Sequence, residues 1–163
     1  MLPRPISALA AAVLTSALSS ACGDDTASNA APVELTRGDA CGEAFFWAAT
    51  PRGELAVTAG VEARGRARDA PTTIDVSLPD PRITVTVLRG ENLPRNFCTD
   101  VLDGSAEPRS SQAASRGTGA VVLAPPNGCG VDGRLRLDGL VAADGTRFEP
   151  IRVRSSSIGC YAG

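Results

Sequence analysis

The chain has 163 residues, enough for one domain of ordinary size, and its apolar content of 43% is sufficient to form a hydrophobic core. It contains no histidine and no lysine, so all 16 basic residues are arginine, which excludes Ser-His-Asp and Cys-His catalysis and any lysine base. The net charge of −2 is close to neutral, and we therefore expect no nucleic-acid partner.

Residues 1–21 have the organisation of an export signal. Arg4 supplies a positive charge, a stretch of about 13 apolar or small residues follows, and Ser19, Ser20 and Ala21 precede Cys22. The apolar stretch is too short to span a bilayer as a helix, which takes about 20 residues. Two interpretations follow, and both place the protein outside the cytoplasm.

The run up to Cys22 resembles the lipobox of bacterial lipoproteins, in which a lipid-modified cysteine follows small residues at the cleavage point. The resemblance covers residues 1–25. It implies a cleaved signal peptide over residues 1–21, a lipid on Cys22, and anchoring at the extracytoplasmic face of the cell membrane. The alternative is a plain secretory signal cut after Ala21, which would release a secreted protein.

Residues 22–39 are small, polar and acidic and contain no core-forming run, so we predict a flexible tether that begins at the lipidated cysteine. Residues 40–163 are then the folded domain. Because two acyl chains on one residue give stable attachment, the membrane is the first partner that this organisation predicts.

The odd number of cysteines is consistent with lipidation of Cys22. Lipid on Cys22 leaves Cys41, Cys98, Cys129 and Cys160, an even number that is typical of two disulfides in an oxidising compartment. The chain has no C-x-x-C pair and no histidine, so we expect no metal and no cofactor. Three pairings are open. We favour Cys41 with Cys160 and Cys98 with Cys129, because the first and last strands of such domains often lie side by side.

Hydrophobic alternation with a period of two predicts strands through most of the domain. The predicted strands cover residues 44–49, 55–62, 74–78, 83–87, 120–123, 134–138 and 146–154. Seven or eight short strands without an amphipathic helix predict an all-β fold, and an immunoglobulin-like two-sheet sandwich is our preferred architecture. A small β-barrel is the alternative.

Two local expectations concern the second half of the chain. Phe148 lies at an even position and Ile151 and Val153 lie at odd ones, so in a regular strand Phe148 would face the opposite side. If all three side chains face the core, a bulge is predicted near Glu149 and Pro150. Residues 103–119 are rich in Ser, Ala, Gly and Arg and are predicted to form a mobile surface loop.

The aromatic run of Phe45, Phe46 and Trp47 lies in one predicted strand, so Phe45 and Trp47 share a face and Phe46 points to the other. In the favoured interpretation Phe45 and Trp47 fill the core. In the functional interpretation Phe46 is then exposed and serves as an anchor for a binding partner.

Alternating arginines indicate a second candidate binding surface. The last predicted hairpin would present four of them on one face, Arg134, Arg136, Arg152 and Arg154. Such a strip suits an anionic polymer or lipid headgroups. The alternative is a solvated face balanced by nearby acids, and the same two interpretations apply to the repeat of Arg64, Arg66 and Arg68.

Carboxylate chemistry is the remaining enzymatic alternative. Asp100 and Asp103, followed by Glu107, form the tightest acidic cluster beside a cysteine, and a small envelope hydrolase would use the first two. Solvated turn carboxylates explain the same residues. We therefore predict a non-enzymatic binding module of the cell envelope, with no catalytic residues, whose second partner is an envelope protein or polymer.

Overall fold

The computed structural model describes residues 30–62, 70–126 and 130–159. Within these residues the fold has eight β-strands and two short 3-10 helices. The strands are β1 (Arg37–Cys41), β2 (Phe45–Ala49), β3 (Leu55–Val61), β4 (Thr72–Leu78), β5 (Ile83–Gly90), β6 (Pro108–Leu123), β7 (Val131–Ala142) and β8 (Ile151–Ile158). The helices, η1 (Leu93–Asn96) and η2 (Gly104–Ala106), both lie between β5 and β6.

All strand pairs are antiparallel and join into one sheet in the order β1-β2-β3-β5-β6-β7-β8, with β4 paired to β6. The two ends of this order, β1 and β8, approach each other, and the Ser155 hydroxyl donates a hydrogen bond to the Ala40 carbonyl at 3.1 Å. The sheet is therefore nearly closed into a barrel. The predicted all-β class is confirmed.

The expected immunoglobulin-like sandwich is not confirmed, because one strand runs through both halves of the sheet. The first part of β6 pairs with β5, and the second part pairs with β4 and β7. Close backbone approach permits this: a Cβ at Gly119 would lie 1.8 Å from the Arg136 carbonyl oxygen. The architecture is nearer to the alternative that the sequence left open, a small barrel.

Residues 103–119 were predicted to be a mobile surface loop, and this prediction was wrong. They form η2 and most of β6, the longest strand of the fold. Small and polar residues suit this strand because only four of its 16 residues are buried, Ala114, Gly117, Val121 and Leu123. Backbone pairing stabilises the strand instead, with β5 along its first part and with β4 and β7 along its second part.

Alternation was a reliable guide to the other strands. Leu135, Leu137, Ile151 and Val153 all point into the barrel core while their neighbours in sequence are exposed. Phe148 is buried in the same core. Glu149 and Pro150 lie outside the regular strand pairing, between the bridge at Phe148 and the start of β8. This is where the inward-facing positions change from even to odd.

A segment between β5 and β6, which we call the strap (residues 91–107), crosses the outer face of β2 and β3. Leu93 from the strap is buried against Ala49 and Ala56, which form a small second hydrophobic cluster outside the barrel. The two arms of the strap are joined by the side chain of Asn96, which donates to the Asp103 carbonyl at 3.0 Å and accepts from the Asp103 amide at 2.7 Å. Residues of β3 are thus covered on both faces.

The strap is attached to the barrel by a disulfide between Cys41 and Cys98. Both pairings favoured from the sequence were therefore wrong. The reason is topological: Cys41 ends β1 next to the face that the strap covers, so its nearest cysteine comes from the strap and not from the last strand. Cys129 and Cys160 lie outside the described residues.

The folded region begins before residue 40. Val33 forms a bridge to Phe148, its amide donating to the Arg147 carbonyl at 2.8 Å, and β1 starts at Arg37. The predicted signal peptide, Cys22, and Arg64, Arg66 and Arg68 lie outside the described residues. Within the described ranges, no helix is long and apolar enough to cross a membrane.

Candidate anion-binding face

The four arginines of the last hairpin are brought together by strand register. Arg134 lies directly opposite Arg154, and Arg136 lies directly opposite Arg152. All four side chains are exposed, because the alternating residues between them point into the core. We call this surface the arginine face (Arg134, Arg136, Arg152 and Arg154). The register therefore places these four residues on one side of the sheet, as the alternation in the sequence predicted.

Two arginines of the face share a single carboxylate. Asp138 accepts hydrogen bonds from Arg136 Nε at 2.6 Å and from an Arg152 guanidinium nitrogen at 2.8 Å. The hydrogen bond from Arg152 is the main reason that the pKa of Asp138 is lowered, with Arg136 contributing in the same direction. The Arg152 guanidinium also donates to the Ile151 carbonyl at 2.9 Å, so its position is held from two sides.

The other half of the face consists of Arg134 and Arg154. In the described part of the chain, neither of them has an ion-pair partner. Like charges directly opposite each other on neighbouring strands are destabilising, by roughly 0.2–1 kcal/mol. A bound anion would relieve this repulsion.

The surface beside the arginines is apolar on β6 and includes one exposed carboxylate on β4. Val122 of β6 lies opposite Arg134, and Ala120 lies opposite Arg136, both of them half-buried. Beyond them on β4 are Thr73 and Asp75. An extended anionic chain could therefore lie across the sheet, with its charged groups against the guanidinium groups and its uncharged parts against Val122 and Ala120. Guanidinium groups bind carboxylates and phosphates through paired N–H donors.

Phe46 does not belong to any binding surface. It was placed among the candidate binding residues as an exposed anchor, and this is wrong because its side chain is 0% exposed. Its ring reaches the far side of the barrel, where a Cβ at Gly133 would lie 3.1 Å from the Phe46 ring. Ala44 and Ala48 share the inward face of this segment and leave room for the ring.

Phe45 and Trp47 were expected in the core and are instead half-buried on the outer face, beneath the strap. Phe97, next to the disulfide, lies between them, with ring centroids 6.0 Å from Phe45 and 5.4 Å from Trp47. The Trp47 indole nitrogen is buried and has no hydrogen-bond partner within the described residues. The sequence did carry a signal for this face, since Phe97 directly precedes the cysteine that bonds to Cys41.

The acidic cluster proposed for a hydrolase lies in the strap. Asp103 accepts from the Ser105 amide at 2.9 Å and hydroxyl at 2.6 Å, and from Arg95 at 3.1 Å. The Ser105 hydrogen bonds, with Arg95 next, hold the pKa of Asp103 at about 2. Asp100 and Glu107 are exposed. Asp103 thus has the contacts of a carboxylate that shapes a loop.

Over residues 30–62, 70–126 and 130–159, no group of three or more Asp, Glu or Cys side chains lies close enough to hold a metal ion. Comparison with known proteins adds no further constraint, since no known protein family, curated protein or solved structure matches this chain.

Proposed function

We propose that this protein is a lipid-anchored module of the bacterial cell envelope that binds an anionic envelope polymer through the arginine face. The observation that carries the binding part is the pair of Arg134 and Arg154, two exposed cations placed opposite each other without an ion-pair partner among the described residues. A phosphate- or carboxylate-bearing chain supplies the missing charge. The role is one of binding and not of catalysis.

The lipid anchor rests on the lipobox-like run that ends at Cys22. The Cys41–Cys98 disulfide supports export, because disulfides persist in oxidising compartments and are rare in the cytosol. Intact-mass analysis of the membrane fraction tests the anchor. The expected species begins at Cys22 and carries a diacylglycerol-sized adduct that a Cys22→Ser variant lacks. Release of the native chain into the medium without an adduct would overturn the anchor and favour plain secretion.

Binding by the arginine face is tested with polyphosphate and poly-L-glutamate as probes. The protein used is the chain from residue 22 with Cys22→Ser, titrated at low ionic strength, because salt screens exposed charges. The Arg134→Gln/Arg154→Gln variant should lose affinity by about tenfold or more, since a hydrogen bond to a charged group contributes roughly 1.5–3 kcal/mol. Arg109→Gln is the control, because Arg109 lies elsewhere on β6 and pairs with Glu91.

A gain of affinity provides the converse test. Asp138→Asn removes the carboxylate that Arg136 and Arg152 share, so all four guanidinium groups become available. Polyphosphate should bind more tightly to this variant than to the parent chain, by about fivefold to tenfold. Equal loss of binding in the face variant and in Arg109→Gln, or no change in Asp138→Asn, would show that the attraction is unspecific and would overturn the proposal.

A further inference from the structure

A second group of arginines lies at one end of the barrel, on elements other than β7 and β8. The start of β1, the turn between β2 and β3, and η1 enclose a cleft of about 550 Å³ there. We call it the end cleft. Its lining residues are Arg37, Pro51, Arg52, Asn92, Pro94 and Arg95. Three of these six residues are arginine and none is acidic.

The walls of the end cleft are fixed by backbone contacts. The Gly53 amide donates to the Thr50 carbonyl at 2.9 Å, and the Leu93 amide donates to the Gly53 carbonyl at 3.1 Å. Gly53 has a φ of +75°, and a Cβ at this position would lie 2.6 Å from Pro94 Cδ. The turn and η1 can therefore pack closely only with glycine at residue 53. The buried side chain of Leu93 anchors the same wall.

The charges in the end cleft are only partly balanced. Arg95 pairs with Asp103 at 3.1 Å, and Arg37 donates to the Pro51 carbonyl at 3.4 Å. Arg52 and the side-chain amide of Asn92 have no hydrogen-bond partner among residues 30–62, 70–126 and 130–159. Glu54 is the acidic residue next to the turn. It accepts a hydrogen bond from the Thr50 hydroxyl at 2.8 Å, and the charge of Arg52 is a smaller contribution to the lowering of its pKa, after hydrogen bonds from the backbone and from Thr50. Donors thus exceed acceptors around this space.

We propose that the end cleft binds a phosphate-bearing group, held by Arg37, Arg52 and Arg95 with Asn92 as an additional donor. Several guanidinium groups around one concave space match the oxygen atoms of a phosphate, each of which accepts more than one hydrogen bond. A preformed cleft also limits the entropy lost on binding. This site goes beyond the polymer-binding face, because it lies on other strands and takes a compact anion.

The chain enters the domain at the same end of the barrel. The Thr36 amide donates to the Ala49 carbonyl, and Arg37, which lines the cleft, is the next residue. From Cys22 to Ala30 the chain spans at most about 28 Å when fully extended. If Cys22 carries a lipid, the domain stays close to the membrane, and the phosphate of an anionic lipid headgroup is the ligand that the cleft can reach. This choice of ligand rests on the proposed anchor. A free phosphate ester is the other source of the same chemistry.

The test uses the chain from residue 22 with Cys22→Ser, so that its result does not depend on lipidation. Pyrophosphate binding is measured by calorimetry, and vesicle binding by co-sedimentation with phosphatidylcholine vesicles that contain or lack phosphatidylglycerol. The cleft variant is Arg37→Gln/Arg52→Gln, and Arg52→Gln alone is the milder second variant. Arg109→Gln/Arg116→Gln is the control with the same change in net charge, because both residues are exposed on β6 and belong neither to the end cleft nor to the arginine face. Thermal unfolding and the fluorescence of Trp47 verify folding.

We expect pyrophosphate to bind the parent chain and the control. Its affinity for the cleft variant should be lower by about tenfold or more. Loss of phosphatidylglycerol-dependent sedimentation in the cleft variant would identify the lipid headgroup as the source. Retained sedimentation with lost pyrophosphate binding would identify a free phosphate ester. No pyrophosphate binding by the parent chain, or equal loss in cleft and control variants, would overturn the site. Because the polymer assay reads the arginine face separately, failure of one proposal is distinguishable from failure of the other.

Discussion

Cys41 and Cys98 are joined by a disulfide that brings their Cα atoms to 5.6 Å across 57 residues of sequence. The bond holds Phe97 against Phe45 and Trp47, and through it the strap covers the outer face of the sheet. The same strap carries Arg95, which lines the end cleft. Cross-linking two segments so far apart in sequence restricts the unfolded chain, so the bond contributes both to stability and to the shape of the cleft.

Removal of this disulfide should therefore destabilise the fold substantially. For a closed loop of this length the loss of loop-closure entropy corresponds to about 4 kcal/mol. The Cys41→Ala/Cys98→Ala variant should unfold at a correspondingly lower denaturant concentration. Its fluorescence should also shift to longer wavelength as Trp47, the single tryptophan, becomes exposed. A variant within about 1 kcal/mol of the parent chain, with unchanged fluorescence, would contradict this assignment of the bond.

The burial of Phe46 leads to a second prediction. Phe46→Ala leaves a cavity in the barrel core and should cost about 3–5 kcal/mol in the free energy of unfolding. The neighbouring Phe45→Ala is the matched control. It removes the same atoms from a half-buried position and should cost less than half as much. Denaturant unfolding of both variants measures the difference, and equal costs would contradict the orientation of β2.

Strand parity explains both what could be predicted from the sequence and what could not. Alternation identified the inward residues of β7 and β8, and hence the clustering of Arg134 with Arg154, because one buried face forces the other outward. In β2 the alternation was predicted correctly, with Phe45 and Trp47 on one face and Phe46 on the other, but the inward and outward faces were exchanged. Two large aromatic residues outweighed the small inward-facing Ala44 and Ala48, and nothing local indicates that the strap covers the outer face.

Long-range pairing accounts for the remaining differences. The first part of β6 lacks hydrophobic alternation, so its strand structure depends on pairing with β5, which only the assembled fold specifies. The end cleft also depends on contacts between segments that are far apart in sequence. Its arginines come from β1, a turn and η1, and no spacing in the sequence links Arg37 to Arg95.

The ion pair in the strap gives a third prediction, which concerns pH. The pKa of Asp103 is held at about 2 by Ser105 and Arg95, below its value of 3.8 in an unfolded chain. The stabilisation is therefore present above about pH 4, and it is lost as the pH falls from there toward about 2. Asp103→Asn should lower the melting temperature at neutral pH, and its difference from the parent chain should shrink over this acidic range.

Asp100→Asn is the control for this pH experiment, because Asp100 lies in the same strap and is exposed. Its melting temperature should follow the parent chain at every pH. Since the chain has no histidine, the Asp103→Asn difference should also stay constant between pH 5 and pH 8. A difference that persists unchanged down to pH 2 would show that the carboxylate charge is not the cause.

The fourth prediction is a second disulfide, between Cys129 and Cys160. With Cys41 and Cys98 bonded to each other and Cys22 proposed to carry lipid, these two cysteines are the remaining pair. Val131 pairs with Ile158 at the open end of the β7–β8 ladder. Cys129 precedes Val131 by two residues and Cys160 follows Ile158 by two, so both cysteines are close in sequence to this end of the ladder.

Intact mass measured without reduction decides this prediction. The protein should be lighter than the fully reduced chain by four protons, and Cys129→Ser/Cys160→Ser should be lighter than its own reduced form by two. Proteolytic peptides should link residue 129 to residue 160 and residue 41 to residue 98. Free thiols at residues 129 and 160, under conditions that keep the Cys41–Cys98 bond oxidised, would contradict the pairing. They would also mean that the last hairpin, and with it the arginine face, is held by hydrogen bonds and packing alone.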